Sequence, residues 1–229
     1  MTSWRSPVRA GIRPLFIKMM KENIKAVYQD DNLLVIDKPA GINSDSFPKR
    51  AHRLDKDTSG LLIIAKNSQT LDYLQMQFKN RNVKKKYLAL AYGHLPDEKG
   101  LIETLVGRST GTIKQKIYLP HEPGSQKRRK AITKYKVLQR FKDYDLIEAE
   151  PITGRQHQIR LHLRYAGHPV CGDKIYAFKG QSGPGELKRH FLHAAYLKIR
   201  LPDNKIMEFK SDLPADLKKI LQDLNNKQK

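Results

Sequence analysis

One acidic residue in the stretch HRLDKDTSGL, residues 52–61, has neighbours that suit it to chemistry. Asp55 follows Arg53 by two residues and precedes a turn signal and a short apolar run. A carboxylate is ionised at neutral pH, so it can attack a substrate without a base to activate it. A partly buried carboxylate also needs a cation nearby to stay ionised. An aspartate before a turn is ordinarily a turn or capping residue, and Asp57 and Thr58 are interpreted in that way.

The sequence shows no partner acid for Asp55. No second carboxylate stands in a position clearly matched to it, so a two-acid glycosidase pair is not indicated. There is no His-Glu-x-x-His pattern and no cysteine pair, and His157 and His162 are five residues apart, which is poor spacing for two ligands on one helix. We therefore predict no metal site.

The segment TGRQHQIRLHLRYAGHP, residues 153–169, is predicted to be a helix. Thr153 is the expected cap, and Ile159, Leu163 and Ala166 share one apolar face. Gly167 is expected to close the end of this helix, and Pro169 to prevent its continuation.

Several cations lie in or near that predicted helix. Arg160 is a suitable cation for Asp55, and Gln156 would lie on the same helix face as Arg160. A solvated basic face remains the alternative for Arg155 and Arg160. We interpret His157 as a candidate contact to a nucleic-acid partner.

Two further segments combine basic and aromatic residues. Tyr87 follows three lysines at the start of a predicted strand, where a tyrosine is either part of the core or a platform for an exposed base. Lys127, Arg128 and Arg129 lead into a predicted hairpin, where they form a solvated loop or contact phosphates. We interpret these three as candidate nucleic-acid-binding residues.

The composition indicates the kind of partner. Lys and Arg number 44 against 23 Asp and Glu, so the formal net charge is +21. Such a charge favours nucleic acid over an anionic membrane surface, and no apolar run approaches the roughly 20 residues that span a bilayer. The single cysteine, Cys171, excludes an internal disulfide and favours a reducing compartment, and its neighbours suggest a small buried side chain.

The order of the predicted elements indicates an α+β domain with a mixed, largely antiparallel central sheet and flanking helices. Predicted strands cover 32–41, 61–65 and 86–93, predicted hairpins pair 131–141 with 144–152 and 196–202 with 205–209, and predicted helices cover 68–81, 153–169 and 212–224, with Ser68 as a cap and Pro214 in a first turn. Residues 1–24 are expected to be a basic arm, with an organelle transit peptide as the alternative. Residues 25–225 are expected to form one catalytic domain without a separate N-terminal RNA-binding domain.

Five segments, in this order, resemble the RluA-type pseudouridine synthases. They are DDNLLVIDKPAG, HRLDKDTSGLLIIAKN, KKKYLALAYG, TGRQHQIRLHLRYAGHPVCGDKIY, and FLHAAYLKIRLP with SDLP. The resemblance covers roughly residues 25–220 and implies the pseudouridine synthase fold, with a catalytic cleft. It also implies an enzyme without a cofactor, acting on uridine in RNA.

The resemblance assigns roles to four residues. It implies that Asp55 is the catalytic aspartate, that Tyr87 stacks on the target base and that Arg160 pairs with the aspartate. It further implies that Arg53 fills the space left when the uridine leaves its helix. In this family the aspartate drives cleavage of the C1′–N1 bond, after which the uracil turns and is rejoined through C5.

Two departures from the family pattern bear on the substrate. The connection between KPAG and HRLD, residues 42–51, is short and lacks a histidine-proline pair after the glycine. The region ahead of the catalytic motifs is also short, which leans towards a tRNA or a compact stem-loop in tRNA or rRNA. A non-catalytic RNA-binding protein on the same fold remains the alternative function. We further expect a cytoplasmic monomer that binds no membrane, with organelle targeting as an option.

Overall fold

A ten-stranded sheet forms the centre of the computed structural model, which describes residues 24–109, 114–118, 128–181 and 183–227. The strands run in the order β1-β2-β3-β9-β4-β8-β7-β5-β6, and β10 pairs with β9. In chain order the elements are β1 (Lys25–Gln29), β2 (Leu33–Lys38), a 3-10 turn (Ser44–Ser46), β3 (Ser59–Ala65), α1 (Ser68–Lys79), β4 (Lys84–Tyr92), β5 (Lys99–Arg108), β6 (Gln115–Tyr118), β7 (Arg129–Arg140), β8 (Tyr144–Pro151), α2 (Gln158–Tyr165), β9 (Leu192–Arg200), β10 (Ile206–Lys210) and α3 (Ala215–Asn226). The predicted fold class is confirmed.

The two halves of the sheet meet at a short parallel contact between β3 and β9. Ser59 pairs with His193, and Gly60 pairs with Ala194, whereas the other strand pairs are antiparallel. Gly60 has φ +113°, and a β-carbon built there would lie 2.3 Å from the carbonyl oxygen of Ala194. The contact therefore requires glycine at this position.

Strands β2 and β3 are buried on both faces. Their residues 33–36 and 61–64 alternate between two core clusters, because successive strand side chains point to opposite faces. Leu74 of α1 packs in one cluster and Phe47 in the other. The apolar runs in the sequence are therefore strands enclosed within the protein.

In the other half of the sheet, α2 and α3 pack in separate clusters. Ile159 and Leu163 of α2 contact the core formed with β4 and β8. Leu217 and Ile220 of α3 pack in a cluster that also contains Cys171, which is buried as predicted. None of the helices within the described ranges is long and apolar enough to cross a membrane.

The predicted helix 153–169 is wrong at its start. Helix α2 begins at Gln158, after His157 in a left-handed conformation with φ 56°. Thr153 does not cap it, because its hydroxyl accepts from the Ile132 N–H at 2.9 Å and donates to the Gln158 side chain at 2.6 Å. These hydrogen bonds hold 153–157 as a loop against β7, so Gln156 lies ahead of the helix.

Other boundaries also differ from the predictions. Asn67, rather than Ser68, caps α1 by accepting from the Thr70 N–H at 2.8 Å. Pro214 is the residue before the first turn of α3. Strands β1, β5 and β6 were not predicted, and the expected basic arm lies outside the described residues except for Ile24.

Candidate active site

The loop that carries Asp55, residues 53–58, is anchored by one residue that precedes it in the sequence and by one that follows it much later. The Ser44 hydroxyl accepts from the Leu54 N–H at 3.0 Å and donates to the Leu54 carbonyl at 2.8 Å. From the other side, Arg189 donates to the carbonyl of Asp57 at 3.0 Å. These contacts fix the backbone on either side of Asp55, so the position of its carboxylate is set before any substrate binds.

Two further contacts hold the same loop. Lys38 is fully buried, and its ammonium donates to the carbonyls of Pro39, Ile42 and Lys56 at 2.8, 2.9 and 3.0 Å. Burial and, to a smaller extent, the charge of Arg189 together lower the pKa of Lys38 to about 8. The second of these contacts is a hydrogen bond of 2.8 Å between the side chains of Thr58 and His190.

Arg160 connects Asp55 to a second carboxylate. Its Nη1 donates to Oδ2 of Asp55 at 2.9 Å, while Nε and Nη2 donate to the two oxygens of Asp173 at 2.6 and 2.8 Å. The Arg160 and Asp173 side chains are 4% and 0% exposed, whereas the Asp55 side chain is 21% exposed. The expected contact between Arg160 and Asp55 is therefore present, but the two-pronged grip is on Asp173.

The charges of this triad stabilise one another. Burial alone would lower the pKa of Arg160, but hydrogen bonds and charge from Asp173 and Asp55 raise it. Burial alone would raise the pKa of Asp173, but Arg160 and the N–H groups of Ile175 and Tyr176 lower it. Arg160 and Asp173 are therefore held in their charged forms, and of the three side chains only that of Asp55 is open to a ligand.

His157 lies against Asp55, at the start of α2. Its Nε2 is 3.8 Å from Oδ1 of Asp55, and its Nδ1 is 2.7 Å from the hydroxyl of Tyr176. Burial lowers the pKa of His157, an effect that the charge of Asp55 opposes. Because the Gln115 N–H donates to the Tyr176 oxygen at 3.2 Å, the phenol proton is available for Nδ1. This arrangement favours the neutral tautomer with its proton on Nε2, facing Asp55.

Tyr87 lies on β4, half-buried between two core clusters. Burial raises the pKa of its hydroxyl, and the negative charge of Asp55 raises it further. The ring therefore stays neutral near the carboxylate. A half-buried neutral ring at such a position has the character of a stacking surface.

Arg53 points away from the triad. Its side chain is 63% exposed and lies 3.3 Å from Asp45, which also contacts Arg50. The ion-pair partner of Arg53 among the described residues is therefore Asp45, which does not belong to the triad.

The predicted RNA-binding run at 127–129 is described only in part. Lys127 lies outside the described residues. The guanidinium of Arg128 stacks on the ring of Tyr118 at 4.8 Å, and Arg129 is exposed at the start of β7.

Sequence reasoning missed Asp173, Tyr176, Lys38 and Arg189. Asp173 and Tyr176 stand in the segment CGDKIY, within one of the motifs that carry the family resemblance. Asp173 is thirteen residues from Arg160, beyond the end of α2, so helical spacing could not have paired them.

The comparisons with known proteins agree on one family. The family model described as RNA pseudouridylate synthase matches residues 45–165, over half of the chain. Ribosomal large subunit pseudouridine synthase C of Vibrio parahaemolyticus is 33% identical over 222 residues, 85% of this chain and 67% of that protein. Ribosomal large subunit pseudouridine synthase D of Borreliella burgdorferi is 33% identical over 222 residues, 83% of this chain and 65% of that protein. The chain thus spans about two thirds of the length of these relatives.

A solved structure supports the fold. Human RNA pseudouridylate synthase domain containing 4 superposes with a TM-score of 0.76 over 92% of this chain and 96% of that one, at 24% identity. The resemblance read from the sequence is confirmed. The chain belongs to the RNA pseudouridylate synthase family, whose members are RNA uridine isomerases.

Proposed function

We propose that Asp55 is the reacting carboxylate of this isomerase. The observation that carries the proposal is the Asp55–Arg160–Asp173 triad, in which two carboxylates share one buried guanidinium and only Asp55 is accessible. Such an arrangement holds an ionised carboxylate in fixed geometry. Only Oδ2 of Asp55 accepts a hydrogen bond from Arg160, and Oδ1 is left for the substrate.

The reaction leaves the composition of the RNA unchanged apart from one exchanged proton. The C1′–N1 bond of the uridine breaks, a C1′–C5 bond forms, N1 gains a proton and the hydrogen on C5 is lost to solvent. Asp55 either attacks C1′ or removes a sugar proton, and both routes need the ionised carboxylate. Oδ1 is the oxygen that faces this chemistry, because Oδ2 accepts from Arg160.

Tyr87 and Arg53 are proposed to stabilise the RNA once the uridine has flipped out of its helix. A uridine that leaves its helix loses stacking, which an aromatic ring in the cleft restores. The ion pair of Arg53 with Asp45 is exposed, and such pairs contribute about 0–1 kcal/mol, so Arg53 is readily released to occupy the vacated space.

The relatives favour one class of substrate. Because both are named as ribosomal large subunit synthases, we propose ribosomal RNA of the large subunit as the substrate, rather than tRNA. We further propose that the protein acts as a monomer in the cytoplasm. Sedimentation of the protein alone and with RNA would test its oligomeric state.

The test is tritium release from RNA labelled at C5 of uridine, in unmodified large-subunit rRNA and in bulk tRNA. We expect release by the wild type from rRNA, and none by Asp55→Ala or Asp55→Asn, while both variants still bind RNA. Release by Asp55→Ala would remove Asp55 from the chemistry. RNA binding without release by any form, on either RNA, would favour the non-catalytic RNA-binding alternative.

A further inference from the structure

Three consecutive lysines on β4 have different partners. Lys84 lies 3.7 Å from Glu150 and Lys86 lies 2.9 Å from Glu148, both on the neighbouring strand β8. Lys85 lies between them and points to the opposite face, because strand side chains alternate. Within the described ranges it pairs with no carboxylate.

Lys85 occupies a half-buried position close to the candidate active site. Its ammonium lies 6.0 Å from the centre of the Phe78 ring on α1, and 3.7 Å from where a β-carbon of Gly154 would stand. Tyr87 follows it by two residues on the same strand. Burial lowers the pKa of Lys85 to about 8.

Arg155 continues the positive charge on the other side of Gly154. Its Nε donates to the carbonyl of Lys130 at 3.1 Å, which holds the side chain beside the start of β7. Burial lowers the pKa of Arg155, and the positive charges of Arg129 and Arg81 lower it further. Arg129 and Arg81 are therefore close enough to Arg155 for their charges to act on it.

The other two cations are also without acidic partners among the described residues. Arg81 follows α1 in a left-handed conformation, φ 62°, with its N–H bonded to the carbonyl of Phe78 at 3.2 Å. Arg129 is exposed, whereas the next residue, Lys130, lies 2.7 Å from Glu103. Glu150, Glu148 and Glu103 thus pair with the neighbouring lysines, and no acid within the described ranges forms an ion pair with the set of cations that Lys85 and these three arginines make up.

We propose that Arg81, Lys85, Arg129 and Arg155 form a basic rim that binds the phosphates of the RNA strand on one side of the flipped uridine. This inference rests on the proposed function and names the part of the site that holds the substrate backbone. Four cations kept together without acids repel one another, and a run of phosphates relieves that repulsion. Arg155 precedes His157 by two residues, and Lys85 precedes Tyr87 by two, so the rim adjoins the residues around Asp55.

The salt dependence of RNA binding tests the rim. The probe is a labelled uridine-rich RNA hairpin, and its Kd is measured between about 50 and 200 mM salt. The rim variant is the triple Arg81→Gln, Arg129→Gln, Arg155→Gln. The control variant, Arg200→Gln, Lys205→Gln, Lys218→Gln, loses the same charge from the β9–β10 hairpin and α3.

Each phosphate contact adds about 0.7–0.9 to the slope of log K against log salt. We expect the rim variant to flatten this slope by about 2–3 and the control variant by less than half as much. Equal slopes in the two variants would overturn the rim. Urea unfolding midpoints close to that of the wild type would show that both variants are folded.

Lys85 is tested separately because it is half-buried. We expect Lys85→Met to flatten the slope of log K against log salt by about 0.7–0.9, the value of one phosphate contact. We expect Lys85→Arg to keep the slope of the wild type. Equal losses in the two variants would remove Lys85 from the rim. A wild type that binds RNA through the rim but releases no tritium would overturn the proposed function and leave the rim standing. An active wild type with an unaltered rim variant would overturn the rim alone.

Discussion

At the scale of single residues, Arg160 is the centre of the candidate active site. Its planar guanidinium has two edges, one on Asp173 and one on Asp55. The grip on Asp173 orients the guanidinium, and the remaining N–H positions the accessible carboxylate. The position of the Asp55 carboxylate thus depends on Asp173, whose side chain is fully buried.

This geometry makes a prediction for Arg160→Lys. A lysine ammonium cannot span both oxygens of Asp173 and also reach Asp55, because it is a point charge rather than a fork. We expect kcat to fall by about 100-fold, the scale of a misplacement of about 1 Å, while the Kd for RNA changes little. Single-turnover tritium release and an RNA-binding titration separate the two effects. A kcat near that of the wild type would show that orientation by Asp173 is unimportant.

At the scale of elements, the Asp55 loop is positioned by segments distant in the sequence. Ser44 and Lys38 hold it from the N-terminal side, and Arg189 and His190 hold it from the C-terminal side. The short 42–51 connection takes part through Ser44, so it packs against the Asp55 loop. Its length therefore bears on the support of this loop.

The parallel contact between β3 and β9 leads to a prediction for Gly60→Ala. The new β-carbon would meet the backbone of Ala194, so the strands must separate just after the Asp55 loop. We expect a loss of about 1–3 kcal/mol in the free energy of unfolding from overpacking, in addition to the cost of the positive φ. Urea unfolding measures this loss of stability. Tritium release measures how the separation of the strands next to the Asp55 loop affects activity.

Gly167→Ala is the matched control for that substitution. Gly167 also has a positive φ, +88°, but a β-carbon there would have nothing within 4 Å. This variant reports the backbone cost alone, about 1–2 kcal/mol. Equal losses of stability in the two variants would show that the close approach at Ala194 relaxes without cost.

At the scale of the whole molecule, buried neutral histidines make stability depend on pH. Burial lowers the pKa of His52 to about 3, and that of His162 and His190 to about 4. Nearby Lys85 acts in the same direction on His52, and Arg160 on His190. In the unfolded chain each imidazole has a pKa near 6.5, so the unfolded state binds more protons below that pH.

We therefore expect stability to be highest above about pH 6.5 and to fall as the pH decreases towards about 4. Each of the three histidines contributes a slope of about 1.4 kcal/mol per pH unit within that window. Urea unfolding at several pH values measures the slope of the free energy of unfolding against pH. Calorimetry in two buffers measures the number of protons taken up on unfolding. An uptake of fewer than about one proton at pH 5 would contradict the prediction.

The sequence alone determined the family, the fold class and most of the secondary structure. These follow from local signals: apolar runs for β2 and β3, alternation for the β7–β8 hairpin, and ordered motifs around Asp55, Tyr87 and Arg160. The net charge similarly indicated a nucleic-acid partner without any knowledge of the fold. Strands β1, β5 and β6 escaped notice because their patterns are short or interrupted by charged residues.

Only the tertiary structure decided which residues surround Asp55. Asp173, Lys38 and Arg189 reach its loop or its partner across 13 to 132 positions in the chain, and no periodicity links residues so far apart. The start of α2 was likewise decided by tertiary contacts, because Thr153 bonds to β7 instead of capping the helix. Local propensity selects elements, whereas hydrogen bonds between distant segments select the geometry of the site.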